Sequence, residues 1–153
     1  MKKPRPPKQI LGWRELVELP DLGLEGLKAK LDTGARTSAL HAHHIEVIER
    51  DGARWVRCRL STHSGRIRDE VRVELPVVEM RQVRSSSGHA ELRPVIRTRL
   101  TLGGRTRLAE LTITDRADMR YPMLVGRTAL KAGRFLVDSS TSFKGSASTG
   151  PSA

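Results

Sequence analysis

Apolar residues recur at every second position along most of this chain, and that period constrains the secondary structure more than any other feature does. The alternation runs through GWRELVELP, LEGLKAKLD, HIEVIERDGARWVRCRLS, DEVRVELPVVEM, VIRTRLTLGGRTRLAELTITD and YPMLVG. A repeat of two sends successive side chains to opposite faces of a strand, so each run predicts a strand with one dry and one wet face. Asp51-Gly52 and Gly103-Gly104 interrupt two of the runs with residues that accept positive φ. These predict tight hairpins over residues 44–60 and 95–114. Only RTALKAGR, residues 127–134, combines good helix formers with a closing glycine, Gly133, and it predicts one short helix near the C-terminus. The expected fold class is therefore mainly β and largely antiparallel. No internal repeat suggests a solenoid.

At 153 residues the chain is about one domain long. Residues 1–9 hold three prolines and four basic residues, and residues 139–153 are small and polar, so both ends read as tails around a domain at 10–138. Lys and Arg total 28 against 17 Asp and Glu, a formal net charge of +11. That excess points to an anionic partner: nucleic acid, a membrane surface or an acidic peptide. Cys58 is the single cysteine, which excludes an internal disulfide and a thiolate zinc cluster and suits a reducing compartment. The opening MKKPRPPKQILGW is basic but lacks an apolar core for a signal peptide, and no segment is long enough to span a membrane. The expectation is a soluble cytoplasmic protein.

One acid stands out. In KAKLDTGARTSALHA, residues 28–42, Asp32 follows an alternating run and precedes Thr33-Gly34 and a series of small and hydroxylated residues. The simplest reading of an Asp-x-Gly tripeptide is a turn. At a strand end, however, a carboxylate can be held by loop N–H groups and hydroxyls, as a working acid must be. Far downstream, YPMLVGRTAL carries an apolar strand end into Gly126 and the short helix. Together, Leu31-Asp32-Thr33-Gly34-Ala35 and Leu124-Val125-Gly126-Arg127 resemble the two signatures of retropepsin-type aspartic proteases. The pattern LDTGARTSALHA, followed by an Arg-rich β region and YPMLVGRTAL, is similar to the bacterial family often labelled "ATP-dependent zinc protease".

The resemblance implies a closed, retropepsin-like β-barrel subunit. It also implies aspartic chemistry, in which one carboxylate activates water and a second polarises the carbonyl and protonates the leaving amine. No other aspartate here is followed by Thr-Gly or Ser-Gly, so the second acid must come from a second chain, in a homodimer with the two Asp32 residues at its axis. Thr33 would lock the two loops together, and Gly34 would let them meet. Ala35, Arg36 and Arg127 are the expected substrate-facing positions. A flap would come from the 44–60 hairpin or from RSSSGHAE at 84–91. Family members are associated with a ligase that adds glutamates to a ribosomal protein, which implies a glutamate-rich substrate.

The label itself fares unevenly. No G-x-x-x-x-G-K-[ST] phosphate loop occurs, so the ATP part has no support in the sequence. His41 and His43 would share one strand face with His44 opposite, and His63 or His89 could complete a ligand set, but polar surface histidines are the simpler reading. No metal or cofactor is expected. Two alternatives stand beside the aspartic one: a zinc-dependent protease built on these histidines, and a non-catalytic basic β domain that binds RNA or the ribosome. Against the second, aromatics make up only 3 % of the chain, too few for paired base-stacking residues.

Overall fold

Twelve strands account for most of the computed structural model, which describes residues 4–61, 70–84, 88–115 and 120–145. In order they are β1 (Gln9–Gly12), β2 (Arg14–Leu19), β3 (Leu24–Leu31), β4 (Ser38–His41), β5 (His43–Arg50), β6 (Ala53–Ser61), β7 (Glu70–Pro76), β8 (Glu79–Arg84), β9 (Ala90–Leu102), β10 (Arg105–Thr114), β11 (Met123–Val125) and β12 (Phe135–Asp138). An α-helix, α1 (Arg127–Ala132), lies between β11 and β12, and a 3-10 turn spans Pro20–Leu22. Both expected hairpins form, β5–β6 across Asp51-Gly52 and β9–β10 across Gly103-Gly104. The turn residues carry the positive φ values such turns demand, 52° and 81° in the first, 59° and 76° in the second.

Six strands close on themselves in the order β10-β4-β11-β3-β2-β9, with β9 returning to pair with β10. β8 extends this barrel as a hairpin arm of β9, and β5-β6-β7 form a separate three-stranded sheet. The alternation seen in the sequence sorts the faces: Leu24, Leu27, Ala29 and Leu31 of β3 point inward, as do Val17 and Leu19 of β2. Val56, Cys58 and Leu60 of β6 join the same core. The expectation of a largely antiparallel sheet needs one amendment. β10–β4, β11–β3 and β1–β12 are parallel, and β11, inserted between β3 and β4, runs alongside the first and against the second. The short run Ser38–His41, which stands outside the alternating runs of the sequence, is a full strand held between β10 and β11. Among the described residues no helix is long and apolar enough to cross a membrane.

The described structure also extends past the expected boundary at 138. Residues 139–145 run back along the β1–β2 corner, where Trp13 N–H donates to Thr141 O (2.9 Å) and Phe143 N–H to Arg14 O (2.9 Å). The cause is Glu15, a fully buried carboxylate in the inward row of β2. It accepts hydrogen bonds from Gly12 N–H (2.7 Å) and Gly145 N–H (3.0 Å), so burying its charge is offset by fixing the C-terminal segment. Glu15→Ala is expected to lower the unfolding free energy by about 1–3 kcal/mol for each donor it orphans. Urea denaturation would read this loss, and a midpoint equal to that of the parent would contradict it.

Candidate active site

Asp32 follows β3 directly and opens the loop 32–37 that leads into β4. Its backbone N–H donates to Val125 O (2.9 Å), which ties the loop to the end of β11. Its Oδ1 accepts the Gly34 N–H at 2.9 Å, so the carboxylate is oriented by its own loop while Thr33 and Gly34 stay exposed. The second signature supplies the bracing. Gly126 N–H donates to the buried Ser38 Oγ (3.0 Å), Arg127 N–H to Ala35 O (2.7 Å) and Thr128 N–H to Arg36 O (3.2 Å). A Cβ on Gly126 would lie 2.6 Å from the Thr37 carbonyl carbon and oxygen, so the absence of a side chain lets the two segments touch backbone to backbone.

A cavity of about 920 Å³ begins at Gly34, Ala35 and Arg36 and continues along the β8–β9 arm and the start of β10. Its cations include Arg36, Arg81, Arg84, Arg93 and Arg107. Arg81 is held by Glu79 and Glu110, and the nearly buried Arg93 by Glu91 (3.2 Å). Among the described residues no acid pairs with Arg36, Arg84 or Arg107, which leaves three guanidinium groups available to a ligand. Arg127 is exposed and does not line this cavity; its Nη1 donates to Thr33 O at 2.9 Å and so ties the helix start to the Asp32 loop. Of the two flap candidates, the β8–β9 arm borders the cavity and the 44–60 hairpin does not, although residues 85–87 at the tip lie outside the described residues. Sequence reasoning did not single out Ser38, whose hydroxyl reads as one more small polar residue until β11 is placed beside it.

The histidines gather away from this loop. His41 closes β4 and His43 opens β5, and their rings meet edge to face at 4.5 Å with the two Nε2 atoms 3.3 Å apart. Asp115, at the end of β10, brings a carboxylate oxygen to 3.9 Å from His43 Nδ1. Burial, then the neighbouring His43, holds the His41 imidazole below its usual pKa range, partly offset by Asp115 and by a hydrogen bond to the Thr114 backbone. Along β11, Asp32 meets Val125 whereas His41 N–H donates to Pro122 O, so the two sites lie about 10 Å apart along the strand direction. None of the three residues lines the cavity. A zinc ion held there would not stand beside the Asp32 carboxylate. His44 and His89 are exposed and join no ligand group among the described residues, and His63 lies outside them.

Comparison with known proteins identifies the arrangement. The RimB-like family, described as retropepsin-like aspartic endopeptidase RimB, matches residues 10–146. A protein of unknown function from Legionella pneumophila, Lpg0085, has a crystal structure that superposes with a TM-score of 0.73 at 30 % identity, covering 90 % of this chain and 98 % of that one. Among curated relatives, a probable alpha-L-glutamate ligase of Parasynechococcus marenigrum is 46 % identical over 131 residues, or 86 % of this chain. One from Shewanella pealeana is 41 % identical over 136 residues, or 89 % of this chain. The chain spans only 28 % and 30 % of the length of those two ligases. With its barrel, its braced Asp32-Thr33-Gly34 loop and the family match over residues 10–146, this chain belongs to the RimB-like family of retropepsin-like proteins.

Proposed function

We propose that the chain is an aspartic endopeptidase that works as a homodimer on glutamate-rich peptides or tails. The observation that carries this reading is a carboxylate oriented by its own loop, at the head of a cavity with three arginines that no acid neutralises among the described residues. Hydrolysis by this chemistry needs two acids, and one chain does not supply them. The cavity's own carboxylates, Glu79 and Glu110, are both engaged by Arg81, so the second acid is Asp32 of another copy, and the exposed Thr33-Gly34 is where the two loops would meet. In the joined site one Asp32 takes a proton from water as its oxygen adds to the scissile carbonyl, and the other, protonated, donates to the carbonyl oxygen. Collapse of the tetrahedral intermediate breaks the C–N bond: the carboxyl that activated the water, rather than the one the resemblance implied, passes its proton to the leaving amine, and the re-forming carbonyl returns a hydroxyl proton to the other.

The remaining residues divide the other work. Arg127, Gly126 and Ser38 hold the loop, the β8–β9 arm acts as the flap that excludes water, and Arg36, Arg84 and Arg107 bind side-chain carboxylates as paired N–H donors. The relatives named as glutamate ligases support a glutamyl substrate, since a segment like this chain forms part of each of them. A cytoplasmic setting fits the single Cys58, which is buried, free and pushed up to about 11, and so inert as a thiol. Digestion of a poly-glutamate peptide beside a neutral peptide of equal length tests the substrate assignment. Preferential cutting of the acidic peptide is expected, and its kcat/KM should fall about tenfold or more on Arg36→Ala. Equal cutting of both peptides would remove the assignment.

A further inference from the structure

We propose that His41, His43 and Asp115 form a binding site for a zinc-class divalent ion, separate from the Asp32 loop, that fastens the β4–β5 corner to the end of β10. The strands bring the ligands together. Between the two histidines, Ala42 is fully buried and its N–H donates to Thr114 O (3.0 Å), so the extended backbone turns both rings to one side. Across the parallel β4–β10 pair, His41 is in register with Thr114, and Asp115 is the next residue.

The geometry matches a metal better than it matches packing. Two nitrogens each about 2.0–2.1 Å from a tetrahedral ion stand about 3.3 Å apart, which is the separation of the two Nε2 atoms here. One ligand atom from each of the three residues lies within 4.8 Å of the others. The outer contact of His41 is that of a metal-bound imidazole, because its ring is also hydrogen-bonded to the Thr114 backbone. An independent sign of an incomplete polar site is Thr114, in register with His41, whose buried Oγ1 has no hydrogen-bond partner among the described residues. His43 and Asp115 are partly exposed, which leaves an entry path and room for water as a further ligand. Bound there, the ion would cross-link strand ends that otherwise meet through few bonds.

The full chain, stripped with a chelator and dialysed, is titrated with zinc chloride by calorimetry and with cobalt chloride by visible absorption. One ion per chain is expected, with the intense d–d bands of four-coordinate cobalt and a higher Tm in the presence of zinc. Asp115→Asn, a change at the surface, should weaken zinc binding about 10–100-fold, and His43→Gln should weaken it further, while His89→Ala leaves it unchanged. Should zinc fail to bind at micromolar concentration, or bind equally to the His43→Gln and Asp115→Asn chains, the cluster is only an imidazole–imidazole hydrogen bond and the proposal is overturned.

Discussion

Asp32→Asn is expected to abolish peptide cleavage while leaving fold and assembly intact. The substitution keeps the side-chain oxygen that accepts the Gly34 N–H at 2.9 Å, so the loop retains its internal bond. Stability should change by no more than about 0.5 kcal/mol, as for other changes that break no buried contact. The chemistry fares differently. In a homodimer one substitution removes both carboxyl groups at once, and an amide neither takes a proton from water nor returns one to an amine. General acid–base catalysis of this kind contributes on the order of 10²–10⁴ for each role, so turnover should fall by about 10⁴ or more, into the background. Sedimentation velocity on the same sample should still show a dimer, and poly-glutamate should still bind. Cleavage within tenfold of the parent by the asparagine chain would reject the aspartic mechanism, and a strictly monomeric active protein would reject the shared site.

Much of the barrel could be read from the period-two alternation, because a strand with one buried face must place its apolar residues at every second position. The Asp51-Gly52 and Gly103-Gly104 turns were equally legible, since each needs positive φ at two successive positions. Strand β4 was not. Its residues, Ser-Ala-Leu-His, have no strong strand preference, and they are extended because β10 and β11 pair with them from both sides. The C-terminal segment was hidden for a similar reason: a polar run such as SSTSFKG looks like a tail until Glu15, 130 residues earlier, is seen to hold it. At the site, the Asp32 signature could be found by eye, but the role of Arg127 could not. A cation at the helix start reads as substrate-facing, and only the close passage of loop 32–37 brings out its bond to Thr33 O. Asp115 was missed because it lies 72 residues beyond His43 and joins it only through the parallel β4–β10 register.

Gly126→Ala should show that the distant second signature is as necessary as the acid it supports. The glycine is not there for its backbone angles, since φ −89° and ψ 175° are open to any residue. It is there for proximity: an added methyl would lie 2.6 Å from the Thr37 carbonyl and 3.0 Å from Ser38 N, all backbone atoms with no rotamer to yield. The end of β11 must therefore move away from loop 32–37. That movement stretches three bonds together, Gly126 N–H to Ser38 Oγ, Arg127 N–H to Ala35 O and Thr128 N–H to Arg36 O. Overpacking of this kind costs about 1–3 kcal/mol, which calorimetry would register as a lower Tm. The larger consequence falls on rate, because a shift of about 1 Å in a catalytic group costs roughly 10²-fold in kcat. Ser38→Ala separates the two causes, since it removes one of the three bonds without pushing the segments apart and should lose less activity. A Gly126→Ala chain with parental stability and activity would mean that the Asp32 loop holds its position without β11, and the bracing role assigned to the second signature would fall.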